Sequence, residues 1–179
     1  MKTNFEVRYA ANPVDAKNYD TARLRHDFLI EKLFVADEVN MVYSMYDRMV
    51  VGGAMPVAES VKLEAIDPLK APHFLSRREL GIYNVGKGKG IVRAGNDVFE
   101  LAYKEALYLG SGDRDVYFES ADKAVPAKFY FNSLTAHRNY PDKKITKADA
   151  IVAHMGSLAG SNDRNINKML VNQVLPTCQ

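Results

Sequence analysis

The side chains best suited to chemistry are scattered along the chain. The four histidines, His26, His73, His137 and His154, lie at least 17 residues apart. No two can share one strand or one helical turn, as a local metal motif requires. Only a site assembled from distant strands would join them, and the spacing favours surface or partly satisfied imidazoles. Gly86, Gly88 and Gly90 suggest a phosphate loop, yet the residues after them, IVRAGNDVFEL, read as strand and turn. A phosphate would need a helix N-terminus there. A hairpin turn carrying Lys87 and Lys89 fits better. Ser111 lacks the strand–turn–helix setting of a nucleophile elbow and reads as a turn residue.

The cations are more informative. Arg77-Arg78-Glu79 heads an apolar strand, and strand alternation sends Arg77 and Glu79 to one face and Arg78 to the other. A buried arginine or carboxylate is unfavourable unless it is paired or serves a bound anion. A surface pair at the mouth of a barrel is the alternative. The segment SNDRNINK offers Asn162, Arg164, Asn167 and Lys168, donors suited to hydroxyls and a carboxylate. A polar interface between subunits or domains would explain them equally well.

The elements that position these residues are mostly strands. A short helix is expected over Tyr19 to Asp27, capped by Asp20 or Thr21. Phe28 to Val35, FLIEKLFV, is rich in large apolar residues and reads as a strand. MVYSM and RMVVGGAM come next, separated by Tyr46-Asp47, and the Gly52-Gly53 pair suggests a bulge or a close backbone approach. From Ser60 to Ser133 run further short strands, joined by turns rich in Gly, Asp and Asn. That spacing indicates an all-β sandwich or barrel. The aromatics Tyr83, Phe99, Tyr103, Tyr108, Tyr117, Phe118, Phe129, Tyr130 and Phe131 fall mostly on strands and read as core rather than a sugar-stacking platform. Beyond Ser133 the pattern weakens. Thr146 could cap one helical turn, or the chain could stay extended, and NKMLVNQVL reads as the last strand.

Composition excludes several classes. With 24 Lys and Arg against 22 Asp and Glu, and no dense basic run, the chain is not a non-specific nucleic-acid binder. The longest uncharged apolar stretch, Met49 to Ala58, is about half of the ~20 residues that span a bilayer. The single cysteine, Cys178, rules out an intrachain disulfide and suggests a reducing, cytoplasmic setting.

The stretch ELGIYNVGKGKGIVRAGNDVFELAYKEALYLGSG resembles a cupin: a Glu leading a strand, a Gly-x-Gly turn, a hairpin and a glycine-containing turn. Metal-binding cupins place two histidines before that Glu and a third after the later turn. Here Phe74 to Arg78 precede Glu79 and Asp115 to Phe118 come after the turn, so the resemblance is to a metal-free cupin. DFLIEKLFVADEVNMVYSMYDRMVVGGAMP, FLSRRELGIYNVG, PAKFYFNSLTAHRNYPDKK, SNDRNINK and VLPTCQ closely resemble the 5-keto-4-deoxyuronate isomerase family from about Tyr19 onward. The resemblance implies a two-barrel cupin that binds zinc, forms hexamers and acts late in pectin breakdown. Its reaction interconverts 5-dehydro-4-deoxy-D-glucuronate and 3-deoxy-D-glycero-2,5-hexodiulosonate.

In that family a second cupin continues from the segment resembling VLPTCQ and holds the zinc through a His-x-His pair, a Glu and a distant His. No metal ligand is therefore carried over to this chain, and zinc ligands are expected beyond Gln179. Asp163 also departs from the family, which places a second basic residue beside Arg164. The expected organisation is an N-terminal arm with a short helix and first strand over residues 1–36. A cupin-like unit and the start of a connection to a second cupin occupy residues 37–179. A keto-uronate carboxylate calls for Arg or Lys, which nominates Arg48, Arg77, Arg164 and Lys168 for substrate binding. Glu79 and His137 are nominated for acid–base or orienting roles. Two readings remain: the amino-terminal part of a homo-oligomeric isomerase, or a complete degenerate cupin that binds an acidic sugar or builds an oligomer.

Overall fold

The structure, a computed structural model, describes residues 2–178. It opens with a strand β1 (Lys2–Arg8), a one-turn helix α1 (Pro13–Ala16) and a second helix α2 (Thr21–Phe28). Next come β2 (Glu38–Ser44), β3 (Val50–Ala54), β4 (Val61–Lys62), β5 (Arg78–Asn84), β6 (Gly90–Ala94) and β7 (Asp97–Leu101). The remaining strands are β8 (Ala106–Leu109), β9 (Val116–Ser120), β10 (Phe129–Thr135), β11 (Lys143–Ile145), β12 (Ile151–Met155) and β13 (Arg164–Lys168).

A seven-stranded sheet in the order β1-β2-β3-β10-β5-β8-β11 faces a four-stranded sheet in the order β4-β9-β6-β7. The inner faces alternate apolar residues into one core, joining Val39, Met41, Leu80, Ile82, Phe129 and Phe131 of the first sheet to Val61, Val92, Val116 and Phe118 of the second. Phe118 meets Phe129 and Phe131 with ring centroids 5.0 and 6.0 Å apart. The expected all-β sandwich is what the chain forms, with its two sheets left open rather than closed into a barrel. A second, smaller core lies outside the large sheet, where Ala106, Tyr108 and Ile145 meet Met169 and Leu175 from the C-terminal segment.

Asp20 caps α2 as expected, its carboxylate accepting from the Arg23 amide at 2.8 Å. The glycine pair marks a close approach. Any Cβ on Gly53 would sit 2.7 Å from the Leu33 carbonyl, and Gly52 lies against the Phe131 ring.

Two expected strands are absent. Leu29 to Val35, within FLIEKLFV, is extended but joins no ladder, because β1 and β3 flank β2 on either side and the segment crosses over Gly53 instead. The arm's strand is β1, which pairs parallel to β2 from Lys2↔Glu38 to Arg8↔Ser44. NKMLVNQVL contributes only its start to β13. The rest turns at Val171, whose carbonyl accepts from the Val174 and Leu175 amides, so that Met169 and Leu175 both reach the second core. At Thr146 both readings hold in sequence: the Asp149 carboxylate accepts from the Thr146 amide and hydroxyl, closing a turn, and β12 comes after it.

Candidate functional site

The hairpin between β2 and β3 turns through Asp47 and Arg48, both left-handed at φ of 53° and 54°. Between β4 and β5 a 3-10 turn (Asp67–Leu69) ends at Lys70, also left-handed at φ 46°. These two turns and the start of β5 enclose a cavity of about 500 Å³. Its lining carries Arg48, Lys70, Arg77 and Arg78 with Tyr43, Phe74 and Thr135, and no acidic side chain.

Arg78 is 4% exposed. Its Nε donates to the Ser133 hydroxyl at 3.1 Å, and its Nη2 donates to the Ser133 and Arg48 carbonyls at 2.7 and 2.6 Å. No carboxylate pairs with it among the described residues. Burial pushes its pKa down to about 10, with the neighbouring Arg48 charge acting in the same direction and Tyr43 opposing. It therefore remains a cation at neutral pH. Arg77 is exposed, and its Nη2 donates to the Leu69 and Lys70 carbonyls at 2.8 and 2.7 Å, which ties the 3-10 turn to β5.

Glu79, one residue on, points through the opposite face of β5 into the second core and is 0% exposed. Its Oε2 accepts from the Tyr108 hydroxyl at 2.6 Å and the Cys178 amide at 2.9 Å, and its Oε1 accepts from the Thr177 hydroxyl at 2.6 Å. Burial, with the Glu79 bond and charge, raises the Tyr108 pKa well above its ordinary value. The carboxylate thus anchors the C-terminal segment and has no open approach from the cavity.

Of the other nominated residues, His137 is exposed in the loop after β10, directly after Ala136 of the cavity lining. Arg164 and Lys168 lie exposed on β13, which pairs only with β12 and stands apart from both large sheets. The structure therefore gathers Arg48 and Arg77, leaves His137 near the rim, and places Arg164 and Lys168 elsewhere. Sequence reasoning passed over Lys70 and Arg78. Alternation already placed Arg78 opposite Glu79, but not which face was the interior, and nothing in DPLKAP marks Lys70.

A second cavity of about 430 Å³ lies against the N-terminal arm and carries charges of both signs. There Arg8 pairs with Glu6 and Arg25 with Glu31, which leaves Lys32 as the lining Lys or Arg with no ion pair among the described residues.

Among the described residues no three His, Cys, Asp or Glu side chains cluster as metal ligands. His26 meets Asp27 at 2.7 Å, His73 meets Asp115 at 3.1 Å, and His154 meets Asp163 at 3.1 Å. These are separate His–Asp contacts, and Asp115 is held below the usual carboxylate range by Lys62 and His73. This donor set does not fit a zinc centre. Among the described residues no helix is long and apolar enough to cross a membrane.

The chain is 79% identical over all 179 residues to a 4-deoxy-L-threo-5-hexosulose-uronate ketol-isomerase of Bacteroides fragilis. It is 48% identical to the protein of the same name from Formosa agariphila. In both cases it spans 64% of the relative's length. An IolB-like protein from Salmonella typhimurium has a similar structure, with a TM-score of 0.54 at 17% identity over 72% of this chain and 47% of that one. That likeness concerns the fold, a cupin-like β-sandwich. The model of the KduI/IolB family matches residues 28–179, which includes every wall of the cationic cavity, and the chain belongs to that family.

Proposed function

We propose that the protein is a ketol-isomerase of uronate breakdown, interconverting 5-dehydro-4-deoxy-D-glucuronate and 3-deoxy-D-glycero-2,5-hexodiulosonate. The observation that carries this reading is the 79% identity, over all 179 residues, to relatives bearing that name. Ketol isomerisation moves a proton between adjacent carbons through an enediol. It requires a base and a group that stabilises the developing oxyanion. Residues 2–178 present no metal-ligand cluster and bury Glu79, so no step of proton transfer or metal chemistry is assigned to them.

In this reading the sandwich contributes cations for the substrate carboxylate, and Arg48 and Arg77 are the nominated residues whose placement suits that task. The zinc ligands in this reading lie beyond Gln179, as the family resemblance implies. A cytoplasmic, hexameric enzyme completes the reading, in line with the family resemblance.

The test is to incubate the full-length gene product with 4-deoxy-L-threo-5-hexosulose uronate in D2O and track the sugar by proton NMR. Conversion to the 2,5-diketo acid, with solvent deuterium entering the carbon that receives the proton, is expected. A substrate left unchanged would refute the isomerase reading.

A further inference from the structure

We infer that the cavity between the β2–β3 turn and the 3-10 turn is a binding site for a small ligand bearing an oxyanion group, a carboxylate or a phosphate, in its own right. The inference deepens the isomerase reading, which already gives Arg48 and Arg77 to a substrate carboxylate, and its binding test does not depend on turnover.

Three observations carry it. The first is charge balance: four cations line one cavity whose walls carry no acidic side chain. The only ion pair any of them makes among the described residues joins Lys70 to the exposed Asp67 at 3.5 Å. A guanidinium as enclosed as that of Arg78 normally meets a carboxylate, since neutral carbonyls alone leave its charge uncompensated. An oxyanion entering the cavity supplies the missing countercharge and can be gripped by the planar donor forks of arginine.

The second is the backbone at Arg48. Two consecutive left-handed residues define a turn that prefers Asp-Gly or Asn-Gly, and here the second position is arginine. The Arg48 side chain is exposed and makes no hydrogen bond or ion pair among the described residues. A charged side chain kept where glycine would be more comfortable, and aimed at a cavity, is a feature of ligand capture.

The third is shape. At about 500 Å³ the cavity lies in the ~300–1,000 Å³ range of small-molecule sites. Phe74, Leu69 and Ala71 give it an apolar wall for a carbon skeleton.

The experiment is calorimetric titration of the full-length gene product with D-galacturonate, galactose 1-phosphate and galactose. One or both anions are expected to bind saturably and galactose is not, and the tighter anion identifies the group the site prefers. Arg48→Gly should weaken that binding by at least about tenfold while raising the thermal midpoint, because glycine relieves the left-handed backbone. A folded, more stable variant that has lost affinity cannot be dismissed as misfolded. The inference is overturned if neither anion binds, if galactose binds equally well, or if Arg48→Gly retains the parent affinity. None of these readouts uses turnover, so this inference and the isomerase reading can fail separately.

Discussion

On the inner face of β5, Arg78 is enclosed by carbonyls and a hydroxyl and opens onto a cavity lined by three more cations. On the outer face, one residue along, Glu79 is enclosed by a tyrosine hydroxyl, a threonine hydroxyl and a backbone amide, with no open approach from that cavity. Both are buried charges, but their surroundings assign them different tasks. Glu79 has a donor for each oxygen, so its environment is complete and its role is to hold the C-terminal segment. Arg78 is bonded through Nε and Nη2, which use three of its five N–H donors, and its charge is unmatched, so its environment is complete only with a ligand present. A strand that alternates strictly can thus carry an anchor and a receptor on adjacent residues.

The largest effect should come from emptying the closed side. Glu79→Ala leaves the buried Tyr108 hydroxyl and the Cys178 amide without their acceptor. It should destabilise the fold by about 3 kcal/mol in urea unfolding, with residues 169–178 becoming the first to exchange their amides. Anion binding should be unaffected, since Glu79 lies outside the cavity.

Alkaline pH probes the same side less severely. Tyr108 has its pKa raised in the folded state, by burial and then by Glu79, above the unfolded value of about 10. The stability it contributes is therefore fully present below pH ~10 and is lost as pH rises beyond that point. Tyr83 and Tyr130, also raised by burial, add to the slope. The difference between the parent and Glu79→Ala above pH ~10 isolates Tyr108, and the variant should show the shallower decline. Equal slopes would mean that the Glu79–Tyr108 bond contributes nothing.

The smallest stability effect belongs to the open side. Arg48→Gly should stabilise the fold by about 0.5–1 kcal/mol in the same urea assay, by removing a Cβ from a left-handed position. A loss of stability would mean that the Arg48 side chain supports the hairpin after all.

Much of this arrangement is legible in the sequence. The short strands and polar turns from Glu79 to Ser133 alternate cleanly enough to specify a sandwich, and Phe118, Phe129 and Phe131 fill its core as their spacing indicates. Failures come where tertiary context outweighs local pattern. FLIEKLFV has strand composition, but β2 already has a neighbour on each side, while the more polar KTNFEVR takes the outer edge. NKMLVNQVL is apolar because it covers a second core, which a turn serves as well as a strand does. The Arg77-Arg78-Glu79 triplet shows the limit most clearly. Alternation gives the partition of the three residues between faces, but only the packed sheets decide which face is enclosed and which residues meet there.

The most direct measurement sets the two faces of β5 against each other, by recording D-galacturonate affinity and urea midpoint for Arg78→Met beside Glu79→Ala. Methionine fills the arginine's space without its charge but leaves the Ser133 and Arg48 carbonyls without that donor, so stability should fall by about 1–3 kcal/mol while affinity falls at least about tenfold. Glu79→Ala should lose about 3 kcal/mol of stability with affinity intact, so affinity is what separates the two variants. Two variants that lose stability together, with anion binding unchanged in both, would contradict the division between receptor and anchor.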